Sequence, residues 1–544
     1  MRVTGRYIAT FGLVLLGVAV KAQDTTLSIR DVTVISDYVP YLADAVKEKT
    51  APVAEAPDAP LPKLSYSIIP IQFRTVSRLD IPKALEMGKN TPPNLRNNHI
   101  RLGFGNYASP LAEIYLHNKR SEYSAYGLTI KHLSANGPDK AIFSDNNVSL
   151  FGKRFFKTGT LFGDFDYVRN GLRFYGFDRT FPYTPSDDSL KQVYNTFAVS
   201  TGWESKEWGK RKMQFKGDVA FHNLTDKWGA QENDATINTS FKTLIKEDVL
   251  KVNLAYSYSS YSDSLGSLNR NFVHLNPRYT PNGDKLKLTL GVNSSVYVDT
   301  AKPKFYLFPV VDAEYEIEKG FFSAIAGVNG GLQKNTLRSF ITENAFLSNR
   351  IAMGNTVNRF EGYLGIKGKA NANFGFIGRV FYNQFNDMAV FIADSTVLRR
   401  FKPLYIDAHV IRFNAELAYQ YSEKVRLNLT ANVYNYKVQD SKQKAWQLPT
   451  AEVKLNTTYN IGNKLLLSAD VFVMNQRPAT SEYTTLPATN LKAFADFNFG
   501  MEYRYRKTLS LFVRLNNISS VRYQRWYNYP TYSLNGMGGI TFSL

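Results

Sequence analysis

The sequence predicts an all-β protein, a transmembrane antiparallel β-barrel of about 22 strands with a count of about 14 to 20 left open, behind a short and mostly irregular N-terminal segment. Three observations carry that expectation. Runs in which apolar and polar residues alternate with period two recur about every 20 residues from Asn98 onward. The connections between runs switch between a few residues and long polar stretches. No apolar run approaches the ~20 residues that a spanning helix needs, so a membrane reading requires a closed sheet.

Arg2 and Arg6, the apolar run from Ile8 to Val20 and the small-x-small site Val20-Lys21-Ala22 make residues 1–22 a cleaved signal peptide. Residues 23–97 differ from the rest of the chain. Ala51-Pro52, Ala56-Pro57, Ala59-Pro60, Leu61-Pro62 and Thr91-Pro92-Pro93 favour extended or turn backbone, which suits a periplasmic or lumenal segment rather than a globular domain. Residues 98–544 are then the barrel. Within it, Met213, Phe215, Gly217, Val219 and Phe221 alternate with Gln214, Lys216, Asp218 and His222, and Leu250–Tyr258, Leu286–Val298, Val425–Val433 and Ala451–Tyr459 repeat the pattern.

Connection lengths separate a barrel from a soluble sandwich, which would also alternate. Glu318-Lys319-Gly320, Ser422-Glu423-Lys424, Asn460–Lys464 and Arg506-Lys507-Thr508 are short, whereas 173–190, 335–355, 476–488 and 518–531 are long. Short periplasmic turns and long outer loops are the habit of outer-membrane barrels, and an even strand count returns the C-terminus to the periplasm. The last run sets Ile540, Phe542 and Leu544 on one face, an end that the barrel assembly machinery would read. Lipids and lipopolysaccharide of a bacterial outer membrane are the surroundings this implies.

Composition narrows the chemistry. Tyr (34) and Phe (37) are abundant while mean hydropathy stays negative, the balance of a wall with one greasy and one wet face. Cysteine is absent, which removes disulfides, thiolate metal sites and Cys nucleophiles. Lys and Arg exceed Asp and Glu by 66 to 46, a formal charge of +20, and export argues against nucleic acid as the partner. Alternation places Lys216, Lys251, Lys287, Arg426, Lys454, Arg504 and Arg514 opposite the apolar face, hence in the lumen. There they would either attract anions or simply be tolerated by water.

Two stretches carry a resemblance: Ile100–Ser121 (IRLGFGNYASPLAEIYLHNKRS) and Leu511–Leu544, with Leu515-Asn516-Asn517, Tyr523, Trp526-Tyr527 and Tyr529-Pro530. Both resemble TonB-dependent-receptor-like barrels of the Bacteroidota, over residues 98–544. The resemblance implies 22 strands, a periplasmic plug and a TonB-contacting box. Segment 23–97 is much shorter than such a plug, so the plug is reduced or absent, or the lumen is closed in another way. Asp31-Val32-Thr33-Val34-Ile35-Ser36 is similar to the TonB box, an extended stretch able to add a strand to a partner; a chance β-prone hexamer is the other reading.

Candidate chemistry is sparse. His99, His117, His132, His222, His274 and His409 lack metal-ligand spacing, so no metal and no cofactor is expected. Lys131–Gly137 (KHLSANG) resembles the His-x-Ser motif of barrel-embedded phospholipases, with His132 and Ser134 on one strand face. Ala135 stands between that pair and Asn136-Gly137, which read as a turn. Asp164 and Asp166 share a face without a partner base. Trp526, Tyr527 and Tyr529 suit a girdle or loop packing better than sugar stacking. The expectation is a non-enzymatic receptor or transport barrel, with an accessory subunit of an outer-membrane assembly or secretion complex as the alternative and a lipid hydrolase third.

Overall fold

The computed structural model describes residues 98–119, 121–177, 185–299, 302–394, 396, 399–480 and 488–544. The expected signal peptide, the 23–97 segment and the Asp31–Ser36 stretch lie outside the described residues. The first third of the wall holds β1 (Asn98–Gly105), β2 (Ser109–His117), β3 (Ser124–Asn136), β4 (Ile142–Phe155), β5 (Gly159–Arg173), β6 (Lys191–Ser205) and β7 (Gln214–Asp226). Next come β8 (Gln231–Ile245), β9 (Asp248–Asp263), β10 (Gly266–Thr280), β11 (Leu286–Val298), β12 (Lys304–Glu318) and β13 (Phe322–Lys334), after which the helix α1 (Leu337–Glu343) interrupts the series. The chain continues through β14 (Asn355–Asn371), β15 (Phe374–Ala393), β16 (Phe401–Tyr421), β17 (Val425–Val438), β18 (Ala451–Ile461) and β19 (Leu465–Met474). It ends with the small hairpin β20 (Arg477–Ala479) and β21 (Thr489–Leu491), then β22 (Phe494–Arg504), β23 (Leu509–Asn516), β24 (Gln524–Trp526), β25 (Tyr529–Pro530) and β26 (Asn535–Ser543).

Twenty-two of these strands form one antiparallel sheet, and β20/β21 and β24/β25 are separate two-stranded pairs. Each wall strand pairs with the next, and β1 pairs with β26 from His99 opposite Ser543 to Gly105 opposite Met537. Asn98 N–H donates to the Leu544 carbonyl at 3.2 Å and Leu544 N–H to the Asn98 carbonyl at 2.9 Å, so the two ends of the wall are joined. Closure leaves no open edge, the condition a sheet must meet in lipid.

Local sequence explains the tight turns. Lys246, Gly320, Ser422, Gly462 and Asn463 adopt positive φ between strands, and Gly320, at +76°, does so without a Cβ penalty. The same alternation that builds the strands sorts their faces. Tyr126, Leu161, Val199, Val219, Leu254, Leu307, Leu364, Phe413, Val433, Phe499 and Phe542 are exposed on the outer side. On the inner side, Arg270 and Phe272 of β10 are fully buried. Gly103 lets the seam close, because a Cβ there would lie 2.8 Å from the Phe512 ring.

Candidate functional site: the loop-closed mouth

The longest connections all leave the wall at one end. They span 174–190, 335–354, 439–450, 475–493 and 517–534, joined there by 394–400, while the longest at the other end is 206–213. Sequence reading treats such stretches as polar covers; the structure instead finds the largest apolar cluster in them. Phe174, Leu190, Leu337, Phe340, Leu347, Trp526 and Tyr529 are buried together with Tyr194, Leu224, Tyr261 and Phe401 from the adjoining strands.

Tyr529 is the centre of this cluster. Its ring lies 4.0 Å from Phe346, 5.0 Å from Tyr175 and 5.8 Å from Phe401, measured between centroids. Trp526 adds contacts to Phe391 at 5.5 Å and Phe401 at 5.6 Å. Counted around the wall order, the connections that carry Tyr175, Phe346 and Tyr529 follow strands 5, 13 and 21, separations of 8, 8 and 6 in a ring of 22. Rings rooted so far apart on a cylinder meet only over its lumen. Stacked and edge-on aromatic pairs of this kind contribute about 0.5–1.5 kcal/mol each beyond their burial.

The phenols in this cluster are anchored as donors. Tyr175 donates to the Pro530 carbonyl at 3.1 Å, and Tyr194 to the Ala345 carbonyl at 3.1 Å. Burial pushes the Tyr175 and Tyr529 phenols well above their ordinary range, and moves Tyr532 up to about 12, so all three remain protonated at neutral pH.

Buried ions tie the 335–354 connection to the inner wall. The seven-residue α1 is too short to be stable alone. Thr336 caps it, its side chain accepting from Ser339 N–H at 3.0 Å while the Ser339 hydroxyl accepts from Thr336 N–H at 2.9 Å. Glu232 on β8, with no exposed surface, accepts from Leu337 N–H at 2.6 Å and Arg338 N–H at 3.3 Å. Lys334 pairs with Asp234 and donates to Ser257 at 2.8 Å. Arg270, also fully buried, donates to the Asn335 carbonyl at 2.9 Å and to Asn355 Oδ1 at 3.1 Å. Elsewhere in the mouth Arg477 donates to the backbone carbonyls of Arg525, at 2.7 Å, and Gln524. Removing one partner from such contacts strands a buried charge or polar group.

Beside the cluster a cleft of about 370 Å³ opens between Asp139, Tyr175, Phe177, Arg399, Gln524 and Asn528. Its lining sets the Tyr175 and Phe177 rings beside a carboxylate, a guanidinium and two amide side chains, and the Asp139 carboxylate is paired with Arg522.

Of the residues singled out from sequence, Trp526, Tyr527 and Tyr529 lie in or against this cluster, and the basic, acidic, histidine and C-terminal candidates fall elsewhere. Lys216 lies over the Phe162 ring at 5.3 Å, Lys454 over Phe472 at 5.5 Å and Arg514 over Phe512 at 5.5 Å. Lys287 is 4.0 Å from Glu314, and Arg504 donates to the Asn463 carbonyl at 3.4 Å. Lys251 stands in register between Lys242 on β8 and Arg278 on β10, three cations side by side. Arg426 faces Thr458 across β17 and β18. Ile540 pairs with Leu102 and Phe542 with Ile100 in the seam. Asp164 and Asp166 each contact a neighbouring serine, Ser200 and Ser149. His132 and Ser134 bond to each other on the outer face of β3, outside the loop cluster. Sequence reasoning missed α1 and the loop residues Phe174, Leu190 and Phe346 that join Tyr529. The Thr336…Ser339 spacing is a capping signal for the helix, but nothing local marks Glu232 or Arg270 as buried.

No protein-family model matches the chain, and no curated protein matches it in sequence. Solved structures do match in fold. The ferric-catecholate import receptor Fiu of E. coli K12 superposes with a TM-score of 0.65 at 9% identity, over 83% of this chain and 82% of that one. The FrpB iron transporter of Neisseria meningitidis gives 0.66 at 9%, over 83% of each chain. The pyoverdine outer membrane receptor FpvA of Pseudomonas aeruginosa PAO1, bound to pyoverdine, gives 0.62 at 13%, over 83% and 79%.

Proposed function

We propose that this chain is an outer-membrane receptor barrel of the TonB-dependent type, which takes up or gates a ligand through a lumen closed by its own outer loops. The observation that carries the reading is the meeting of Tyr175, Phe346, Phe401 and Tyr529 over the mouth of a closed 22-strand wall. Loops held by ring contacts can part when a ligand competes for the same rings, whereas a wall cannot. The outer apolar belt, from Tyr126 through Leu307 and Leu364 to Phe542, suits hydrocarbon, and the short turns then face the periplasm.

The ligand this lumen favours is anionic. Lys242 and Lys251 stand opposite each other across β8 and β9, like charges whose repulsion an anion would relieve, while Arg278 beside them donates to the Pro277 and Val292 carbonyls at 2.9 and 2.8 Å. Lys216, Lys287, Arg426, Lys454, Arg504 and Arg514 have the same role in the lumen on this reading. The partners it implies are TonB at Asp31–Ser36, the assembly machinery at Ile540, Phe542 and Leu544, and outer-membrane lipid and lipopolysaccharide around the wall.

Deleting residues 24–40 tests the proposal. The expected result is loss of energy-dependent ligand uptake while the barrel still assembles, and unchanged uptake would overturn it. A mouth closed by the chain's own loops around Tyr529 also suits a second reading, an accessory subunit of an outer-membrane complex. On that reading the deletion changes the co-purifying proteins and leaves transport untouched.

A further inference from the structure

We propose that Ser134, His132 and Asn146 form a hydrolytic triad on the outer, lipid-facing surface of the wall, acting on acyl esters of glycerophospholipids in the outer leaflet. Ser134 Oγ lies 3.2 Å from His132 Nε2, and His132 Nδ1 lies 2.7 Å from Asn146 Oδ1. His132 and Ser134 share a face of β3, and Asn146 stands directly opposite His132 on β4. Next to Ser134 in sequence, where a third group would be sought, stands Ala135. Antiparallel pairing brings that group from the neighbouring strand instead.

The hydrogen bonds fix their own direction. Asn146 Nδ2 donates to Ser144 Oγ at 3.2 Å and to the Arg169 carbonyl at 3.4 Å, and a carbonyl only accepts. Asn146 therefore turns its Oδ1 toward the imidazole, which must donate from Nδ1. Nε2 is left as the acceptor, and the Ser134 hydroxyl donates to it. This is the polarity that nucleophilic catalysis needs.

Location selects the substrate. On β3 the neighbouring residue Leu133 packs inward on the Leu111, Phe512 and Met537 cluster, so His132 and Ser134 point out, with exposed Tyr126 on their face. Ile130 and Leu128 lie between Tyr126 and His132 on that face, and Ile142 and Leu150 are exposed on the Asn146 face of β4. A connected patch of Ser, His and Asn on a hydrocarbon-facing wall is costly unless it is used. Ser134 is two residues from the long-loop end of β3, roughly 7 Å along the strand, which sets it at headgroup depth, where water is present. Ala112, opposite His132 on β2, offers only a methyl group and leaves the approach open. Arg169, opposite Asn146 on β5, is an exposed cation on the same face, suited to a lipid phosphate.

The chemistry balances with water alone. Ser134 Oγ bonds to the ester carbonyl carbon while its proton passes to His132 Nε2. The carbon–oxygen bond to glycerol then breaks and the alkoxide takes that proton. A water, deprotonated by His132, next cleaves the acyl-serine to a free fatty acid and restores the hydroxyl. Asn146 holds the imidazole tautomer, and Asn136, ending β3 on the same face, supplies an amide for the oxyanion.

The test uses the full chain in mixed micelles of detergent and dioleoyl phosphatidylethanolamine, with fatty-acid release and labelling by a fluorophosphonate probe as readouts. Wild type should release fatty acid and become labelled on Ser134. Ser134→Ala should abolish both, while keeping the gel shift of a folded barrel. Asn146→Ala should slow release and labelling at least about tenfold, an effect that a merely structural bond would not exert on labelling. Arg169→Ala should raise KM for phospholipid with labelling unchanged. Release from Ser134→Ala equal to wild type, or absence of both signals from folded wild type, would overturn the triad. Labelling of Ser134 without release from any phospholipid would overturn the substrate.

Discussion

The Glu232 carboxylate on β8 accepts the backbone N–H of Leu337 at 2.6 Å, joining the wall to a helix 105 residues further along the chain. Both residues are buried, and the same carboxylate takes Arg338 N–H as well. This contact seats the 335–354 connection over the lumen rather than outside it. Glu232→Ala leaves buried donors unpaired, at about 1–3 kcal/mol for each. The expected outcome is a loosened connection with the barrel intact, read as larger and noisier single-channel conductance than wild type in planar bilayers.

Tyr529 is the point at which three thirds of the wall meet. Tyr529→Ala removes contacts to Tyr175, Phe346 and Phe401 at once, with a cost of about 3–5 kcal/mol to the loop cluster. Protease should then cut within 335–354 under conditions in which that connection of the wild type is resistant. Tyr529→Phe, which keeps the ring, should retain most of the protection.

Asp394 makes the mouth sensitive to acid. Burial raises its carboxyl above the usual range, against hydrogen bonds from Thr396 and the charge of Arg400 that pull it down. A closed loop that holds its proton more tightly than the open one gains stability as pH falls through the raised value. The gain is complete below the ordinary carboxylate range and absent well above the raised one. Hydrogen exchange in 399–401 should therefore slow from pH ~7 to ~4, beyond the intrinsic pH effect. Asp394→Asn should remove that extra slowing; an unchanged pH profile in the variant would refute the assignment.

The seam depends on a missing side chain. A Cβ at Gly103 would sit 2.8 Å from the Phe512 ring and 3.2 Å from the Gly538 carbonyl, with backbone on one side that cannot yield. Gly103→Leu should cost at least about 1–3 kcal/mol by overpacking. The measurement is the fraction of chain that shows heat-modifiable gel migration after refolding into detergent, expected to fall well below wild type.

Much of the wall is legible in local pattern alone. Period-two alternation in Leu250–Tyr258 or Val425–Val433 depends only on neighbours in sequence, because successive strand residues point to opposite faces. Turn residues such as Gly320 and Asn463 likewise act locally, through the φ they tolerate. Strand count and the division into short and long connections follow from these.

Contacts between residues distant in the chain had to wait for the folded molecule. Phe174, Phe346 and Tyr529 sit in stretches with no period, and their meeting depends on where a closed ring of 22 strands places the roots of their loops. The same holds for Asn146. Its distance of fourteen positions from His132 carries no signal in itself, and becomes a hydrogen bond because the β3–β4 register sets the two side by side. Local preference fixes backbone direction within a few residues, whereas closure of the cylinder fixes which side chains share a place.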